Sequence, residues 1–423
     1  MVIHIRYHFK WEKILFAALM LGLTARVIAQ PLPQLIDSAL LQQPELMALE
    51  KEYQAALERA PQVSQLPNPE VGVGGFPLPV ETRLGPQLIR LGATQGFPWP
   101  GTLPGRAELE NTKAKALYEQ IAARALELRY ELEQAYYQLY AIEKRQDILR
   151  RNLPLIESLE ATALAKVESG KGSTADVLRV QIRREELQQE LAILEREARK
   201  PLATLNRLLQ RPPATEVRMA DELGPAQLPF QQDSLLAAIR RTHPKLRQLS
   251  WQQEAARQAL RLNELDGKPS FGLGADYIFV GPRNDANLNA NGRDIVQLRA
   301  SVSLPIYREK FEAKEREEQL KIAALDNRKQ DLNHRFEATI AQAYADFETA
   351  RLRLDLYERQ RRLTQSAIAI LQEAYSTQGR SFDELLRLES ELIEYDLKRL
   401  NAVVAGHLAV ARINQLLFNQ NAK

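Results

Sequence analysis

The chain contains 423 residues, 45% of them hydrophobic and 26% charged, which is enough for one to three domains with a sizeable core. The formal net charge of +3 lies entirely in residues 1–29, where four basic residues accompany one acidic residue. The rest of the chain is formally neutral, so its charge gives no argument for a nucleic-acid partner. The chain has no cysteine, which excludes disulfides, thiolate chemistry and a lipid-modified N-terminal cysteine.

Residues 1–29 have the three parts of a secretory signal peptide. A basic start is followed by an apolar run from Ile14 to Leu23 and by the pattern Val27-Ile28-Ala29, which has small residues at the cleavage positions. The apolar run is too short to span a bilayer. We therefore predict export from the cytoplasm, and an uncleaved anchor is the alternative.

Two amphipathic helical segments follow at equivalent places in the two halves of the chain. The segments 36–65 and 236–265 each have a proline near their start and end in a proline-containing or glycine-containing break. The matching prolines are Pro44 with Pro244 and Pro69 with Pro269, each pair separated by 200 residues. This repetition predicts an internal duplication of the whole chain.

Each half next contains residues with the alternation of a β-hairpin. In the second half, apolar side chains alternate with polar or very small ones on both sides of a loop rich in Asn, Gly and Asp. We predict strands at about 69–76, 87–97, 269–280 and 293–305. The alternation is typical of strands that span a membrane, although a soluble hairpin packed on the helices is the alternative. Four strands cannot close into a barrel, so if these strands enter a membrane, several chains must combine theirs.

The helices that follow the strands carry a seven-residue apolar repeat. In the second half it runs from Leu325 to Tyr375 and is broken by Arg361 and Thr364. Its two tracks are Phe336, Ala343, Ala350, Tyr357 and Leu371, and Ile340, Phe347, Leu354, Ile368 and Tyr375. Subtracting 208 from these numbers gives a matching seam in the first half, broken at Gln146 and Glu160. Such a seam predicts helices that pair along their length.

These elements define the organisation that we predict, with a fold that is mainly α and has a small β part. Long helices are placed at about 105–169, with a kink at Pro154, and at about 308–377. A returning helix follows each of them. The predicted parts are a signal peptide at 1–29, a first repeat at 30–209, a linker at 210–232 and a second repeat at 233–423.

Residues for catalysis or for cofactor binding are hard to find. His243, His334 and His407 are isolated, and none has a helical partner with which to share a metal. The segment 169–174 has neither the leading glycine nor the Gly-Lys-Ser order of a phosphate-binding loop. We therefore predict no enzyme activity, no cofactor and no metal site. The turns between long and returning helices are the more interesting polar sites, although Ser381 with Glu384 also has the spacing of a helix-capping box.

In its duplicated order of elements the chain resembles the outer-membrane efflux proteins, the TolC-like channels of Gram-negative bacteria, over essentially its whole length after the leader. The shared features are the turns Asp176-Val177-Leu178 and Glu384-Leu385-Leu386 and the repeat ends Leu205-Asn206-Arg207-Leu208-Leu209 and Ile413-Asn414-Gln415-Leu416-Leu417. The segment 95–101 is similar to the strand-to-helix junction of the heavy-metal branch.

The resemblance implies a homotrimer. Three copies of the four strands would form a twelve-stranded β-barrel in outer-membrane lipid, and the helices would form a coiled-coil tunnel through the periplasm. The implied function is that of a passive duct for metal cations or drugs. Its implied partners are a periplasmic adaptor and an inner-membrane pump of the resistance-nodulation-division type. The alternatives are an outer-membrane duct for type I secretion and a periplasmic coiled-coil scaffold.

The resemblance also implies two sites at the helical turns. A periplasmic gate would contain Asp176 and Glu384, and here Arg179 and Arg387 follow one turn later, where they can pair with the carboxylates. A docking surface for the adaptor would contain further residues of both turns. These are Gly170, Gly172, Ser173, Val177, Leu178, Gly379, Ser381, Leu385 and Leu386.

Overall fold

The computed structural model describes residues 32–220, 222–228, 232–285, 288–378 and 382–417. The predicted signal peptide at 1–29 lies outside the described residues. So do Gly379 and Ser381 of the predicted second turn and part of the predicted linker.

Ten helices and five strands follow one another in the described residues. The helices are α1 (Leu32–Gln42), α2 (Pro44–Leu57), α3 (Arg59–Val63), α4 (Thr102–Glu168), α5 (Thr174–Glu197), α6 (Arg199–Leu208), α7 (Gln232–Thr242), α8 (Pro244–Asp266), α9 (Glu309–Gln378) and α10 (Phe382–Asn414). The strands are β1 (Glu70–Gly75), β2 (Glu81–Thr82), β3 (Gly85–Phe97), β4 (Ser270–Val280) and β5 (Ile295–Ser303). No helix in these described ranges is both long enough and apolar enough to cross a membrane.

The helical segments predicted at 36–65 and 236–265 are each divided in the structure. Both segments break at equivalent places, Gln43 and His243, each of which directly precedes a proline, and the first segment has a further break at Glu58. The proline ring disfavours helical backbone in the residue before it, whereas proline itself fits the first position of a new helix. The long helix α4, in contrast, continues through Pro154 to Glu168.

The chain divides into two compact units, which we describe separately. The first contains Leu128–Leu228, Ala345–Ala411 and the described residues up to Gln43. The second contains the described residues of Pro44–Glu127, Pro229–Tyr344 and Arg412–Lys423. The sheet belongs to the second unit, and the turns between long and returning helices belong to the first.

The first unit is built around large side chains of α4. Tyr136 and Tyr140 are fully buried, and their hydroxyl oxygens accept hydrogen bonds from the backbone amides of Ala220, at 3.3 Å, and Leu223, at 2.8 Å. Burial raises the pKa of both phenols. Two backbone amides of the segment predicted as a linker, those of Ala220 and Leu223, are thus satisfied by side-chain hydroxyls.

The second unit has an apolar core that is built from residues of the second repeat. Ile239, Leu246, Phe336, Ile340 and Leu416 form one buried cluster. Phe336 and Ile340 occupy the two seam tracks of α9. The cluster therefore buries the seam, as the seven-residue repeat predicted.

The positions that break the seam are explained by their contacts. Gln146 is buried and its side-chain oxygen accepts from Arg150 at 3.1 Å. Arg361 leaves the seam and pairs with Asp396 at 2.7 Å. Gln146 and Arg361 thus each have a polar partner, which removes much of the cost of interrupting an apolar seam.

The strands form one antiparallel sheet with the order β1-β3-β4-β5, and the short β2 pairs with the start of β3. The central pairing joins the two repeats, because β3 belongs to the first and β4 to the second. It runs from Gln87 opposite Val280 to Phe97 opposite Phe271. The two predicted hairpins are therefore halves of a single four-stranded sheet.

Candidate functional site: the sheet and the helical turns

One face of the sheet is apolar on all four main strands and is exposed within the chain. The alternation of strand side chains places every second residue on this face, and the pairing register aligns these residues from strand to strand. The exposed large residues of this face are Val71, Val73, Ile89, Leu91, Phe271, Leu273, Tyr277, Phe279, Val296, Leu298 and Val302. A continuous apolar surface of this kind requires lipid or another protein surface to cover it.

The opposite face carries glycine and polar residues around one buried carboxylate. The Asp276 side chain is only 1% exposed, and its Oδ2 accepts from Nη2 of Arg90 at 2.7 Å. Nη2 of Arg299 lies 3.9 Å from Oδ1 of Asp276 and donates to the Thr94 hydroxyl at 2.8 Å. Three strands thus contribute to one ion-pair cluster, which we call the Arg90–Asp276–Arg299 cluster.

Glycine is needed beside this cluster. A Cβ atom on Gly92 would lie 2.3 Å from Oδ1 of Asp276, and one on Gly272 would lie 2.5 Å from the Ser301 hydroxyl oxygen. Gly92 directly faces Asp276 in the pairing of β3 with β4. The glycines therefore leave the space that the polar side chains occupy.

Both outer strands of the sheet leave an edge without a partner in the described residues. β1 pairs with β3 alone, and β5 pairs with β4 alone. Such edges present unpaired N–H and C=O groups that can pair with strands of another chain. The sheet is thus an open element that a further copy can extend.

The first helical turn, between α4 and α5, is closed by local hydrogen bonds. Lys171 N donates to the Lys166 carbonyl at 2.8 Å, and Gly170 has a positive φ of 71°. The hydroxyl of Ser173 accepts from Ala175 N at 3.2 Å and so caps the start of α5. Ser173 therefore has a helix-capping role.

The predicted gate residues of the first unit form ion pairs at the turns. Nη1 of Arg179 lies 3.3 Å from Oδ1 of Asp176 and 3.2 Å from Oδ1 of Asp383, at the start of α10. Arg387 contacts Glu391 at 2.7 Å and Glu384 at 4.0 Å. Arg179 thus links the starts of α5 and α10, a contact that sequence reasoning missed because it gave Asp383 no role.

The predicted docking residues separate by burial. Val177, Leu385 and Leu386 are buried, whereas Leu178 is 56% exposed. Gly170 and Gly172 lie in the first turn. The buried side chains pack inside the chain and so are not available to a partner in this conformation. Of the apolar docking residues, Leu178 is therefore the one that presents its side chain.

The two repeats differ in the charges just behind their turns. In the first, Glu160 accepts from Gln181 at 3.0 Å and from Arg184 at 2.7 Å. In the second, the buried Glu389 accepts from Gln372 at 3.3 Å, and burial raises its pKa. The described part of the chain contains no cluster of three His, Cys, Asp or Glu residues that could hold a metal ion.

The Arg90–Asp276–Arg299 cluster was also missed from the sequence. A signal was present, since Asp276 lies on the glycine-bearing side of its strand, where a charge needs a partner. The partner itself depends on the pairing of β3 with β4, and local alternation says nothing of that pairing.

No protein-family model and no curated protein sequence matches the chain. Solved structures of similar fold match it over nearly its whole length. The outer-membrane channel OprN has 19% identity, a TM-score of 0.72 and coverage of 91% of this chain and 89% of its own. The outer membrane protein VceC from Vibrio cholerae has 16% identity, a TM-score of 0.70 and coverage of 91% and 95%.

A third match is CusC, whose structures concern folding and transmembrane channel formation. It has 16% identity, a TM-score of 0.71 and coverage of 92% of both chains. Identity at this level shows a common fold. The chain therefore has the fold of these outer-membrane channel proteins, which is the fold that the sequence resemblance implied.

Proposed function

We propose that the chain is the outer-membrane duct of a tripartite efflux system, a passive conduit for small solutes such as metal cations or drugs. The observation that carries this proposal is the two-faced sheet. One face is apolar and exposed on every main strand, and the other has glycine and the Arg90–Asp276–Arg299 cluster. Lipid suits the first face and water the second. The names of similar solved structures, which are outer-membrane channels, support the same function.

The duct is a homotrimer in this proposal. A sheet of four strands with two open edges is too small to close, since about eight strands are needed to enclose even a filled interior. Three copies would supply twelve strands and satisfy both edges of every sheet. The long and returning helices would then lie in the periplasm.

The ion pairs at the turns form the gate in this proposal, with Asp176, Arg179, Glu384, Arg387 and, in addition, Asp383 as its residues. Arg179 and Asp383 are both largely exposed, so their pair is weak and depends on salt. A contact of that strength can hold two turns together and still yield to a partner. The periplasmic adaptor would dock at the exposed Leu178 beside Gly170 and Gly172, and the inner-membrane pump would supply the energy.

The first experiment measures location, assembly and loss of export. We expect the protein in the outer-membrane fraction, a mostly helical trimer after extraction with detergent, and growth defects of a deletion strain on some members of a panel of metals and drugs. A monomer released from membranes by salt, with unchanged growth of the deletion strain, would contradict the duct and favour a periplasmic scaffold.

The second experiment tests the gate in planar bilayers. Asp176→Ala combined with Glu384→Ala, and separately Arg179→Gln, should change conductance or ion preference, because each removes charge from the turns. Glu186→Ala is the matched control, since Glu186 pairs with Arg183 on the same returning helix but away from the turn. Unchanged current with altered thermal stability in the gate variants would leave them only a capping role.

A further inference from the structure

A cleft of about 490 Å³ lies in the second unit where the strands end and the helices begin. Both repeats contribute to it, through the segment from Gly96 to Thr102 and the segment from Ser303 to Tyr307. The end of α8 and the start of β4 complete its walls. The cleft thus includes Gly96 to Trp99 of the strand-to-helix junction, to which the proposed duct and gate assign no role.

One side of the cleft is basic. Its charged lining residues are Arg106, Lys268, Lys310 and Asp266, which gives two more positive than negative charges. Arg106 pairs with Asp266 at 3.0 Å. Within the described part of the chain, Lys268 and Lys310 have no acidic partner within 4.0 Å, and Lys310 Nζ lies 4.7 Å from the ring centre of Phe311. Two ammonium groups therefore remain for an anion.

Thr102, one of the residues that line the cleft, has a buried hydroxyl without a partner. Thr102 is 1% exposed, and its Oγ1 has no hydrogen-bond partner among the described residues. Thr102 is also the first residue of α4, a helix of 67 residues. A helix start favours an anion through its dipole. Here the Thr102 and Gly105 amides already donate to the Trp99 and Gly101 carbonyls, and Pro104 has no N–H, so the dipole is the main contribution of the helix. A buried hydroxyl at the same place supplies one more donor.

The rim of the cleft is apolar and continues the exposed face of the sheet. Trp99 stacks on Phe271 with ring centres 6.0 Å apart, and Phe271 belongs to that face. Leu304, Ile306 and Tyr307 are exposed beside it. Trp and Tyr rings are typical of the boundary between lipid and water. The rim therefore suits an acyl chain, whereas the basic side suits a phosphate.

We propose that this cleft binds an anionic phospholipid, with the phosphate of its headgroup between Lys268, Lys310 and the start of α4 and its acyl chains on the Trp99 and Tyr307 side. This proposal rests on the proposed function, because it requires the apolar face of the sheet to lie in lipid. The lysines contribute charge, and the Thr102 hydroxyl donates a hydrogen bond to a phosphate oxygen. A free phosphate would use the basic side alone and leave the apolar rim uncovered, which is why the structure favours a lipid.

The test titrates the detergent-purified full-length protein with phosphatidylglycerol and with phosphatidylcholine, and measures bound lipid by mass spectrometry. We expect tighter binding of phosphatidylglycerol. Lys268→Gln combined with Lys310→Gln should weaken it about 25-fold, or roughly fivefold for each lysine. Lys51→Gln combined with Lys200→Gln removes the same charge from exposed sites outside the cleft and should leave binding unchanged.

Thr102→Val separates binding from folding. The hydroxyl has no partner to lose, so the variant should keep or slightly raise the unfolding temperature of lipid-free protein, yet weaken binding of phosphatidylglycerol several-fold. A variant that fails to fold would show that Thr102 is structural and would overturn its part in the site. The combined Lys268→Gln and Lys310→Gln substitutions test the rest of the lipid site independently.

Four further outcomes are decisive. Equal binding of both lipids, or no effect of the lysine pair, would overturn the proposal while leaving the duct intact. Inorganic phosphate or glycerol phosphate that competes fully with phosphatidylglycerol at similar concentration would identify a site for free anions instead. Recovery of the protein as a water-soluble monomer would overturn the proposed function and the lipid site together.

Discussion

At the scale of single residues, His243 shows how burial changes a group that looked unremarkable in the sequence. Its side chain is 4% exposed, lies 4.4 Å from the ring of Phe336, and accepts from Lys245 N at 3.2 Å as the cap of α8. Burial first, and the nearby charge of Lys245 second, lower its pKa to about 4, whereas Glu127 acts in the opposite direction. The folded protein therefore holds this imidazole neutral at pH 7.

We predict that acid destabilises the protein through His243. The pKa of His243 is lower in the folded chain than in the unfolded chain, where it is near 6.5. The contribution of the neutral imidazole to the free energy of unfolding is therefore fully present above pH 6.5 and is lost as the pH falls toward 4. The loss is about 3 kcal/mol. His243→Asn keeps a capping oxygen but cannot titrate, so its unfolding temperature should fall less than that of the wild type over this range. Parallel pH profiles of the two proteins would contradict the prediction.

A second prediction concerns two glycines on the same strand and the same face. Gly92→Ala should destabilise the sheet by about 1 to 3 kcal/mol, because the new methyl group would meet the Asp276 carboxylate at 2.3 Å. Gly96→Ala is the control, since no atom lies within 4 Å of its Cβ position. Its effect should stay within about 0.5 kcal/mol. Thermal unfolding in detergent measures both, and equal midpoints would refute the role given to Gly92.

At the scale of elements, the seam of the long helices was predictable because it depends on local spacing alone. A period of seven residues places the same face of a helix against its neighbour wherever the chain later folds. The buried Phe336, Ile340, Ala343 and Ala350 confirm that face. The division of the helices at Gln43 and His243 was readable too, through the prolines that follow, but was not predicted.

The duplication provides a prediction at this scale, because Gln146 and Leu354 occupy equivalent seam positions. Leu354 packs with Ala402 and Val403 in an apolar cluster. Leu354→Gln should cost about 2 to 4 kcal/mol, since it buries an amide in apolar surroundings. Gln146→Leu should be nearly neutral, because it removes one hydrogen bond and adds apolar burial. Unfolding temperatures of both variants test this, and similar losses in the two would contradict it.

At the scale of the whole molecule, an exposed apolar stripe on α9 remains to be covered. Leu356, Leu363 and Ile370 follow one another at seven-residue spacing, and the last two are 72% and 69% exposed. The spacing is that of a second seam on the same helix. In the proposed trimer, a neighbouring subunit covers this stripe.

We therefore predict that Leu363→Glu combined with Ile370→Glu prevents trimer formation and leaves the helical content of the subunit unchanged. The physical reason is that each glutamate would be buried without a partner in the assembled protein but exposed in the single chain. Gln365→Glu is the control, because Gln365 is exposed on the other flank of the buried seam. Size measurement and circular dichroism in detergent test the prediction. An unaffected trimer would show that the stripe lies outside the interface.

Local periodicity, read from the sequence alone, determined which residues of each strand and helix share a face, and the repetition of that periodicity revealed the duplication. Four other features depend on the tertiary structure. They are the pairing of β3 with β4, the carboxylate between Arg90 and Arg299, the link from Arg179 to Asp383, and the burial of Val177 beside an exposed Leu178. The physical reason is that side-chain direction follows from neighbouring backbone angles. The choice of a distant partner, in contrast, depends on how the elements pack together.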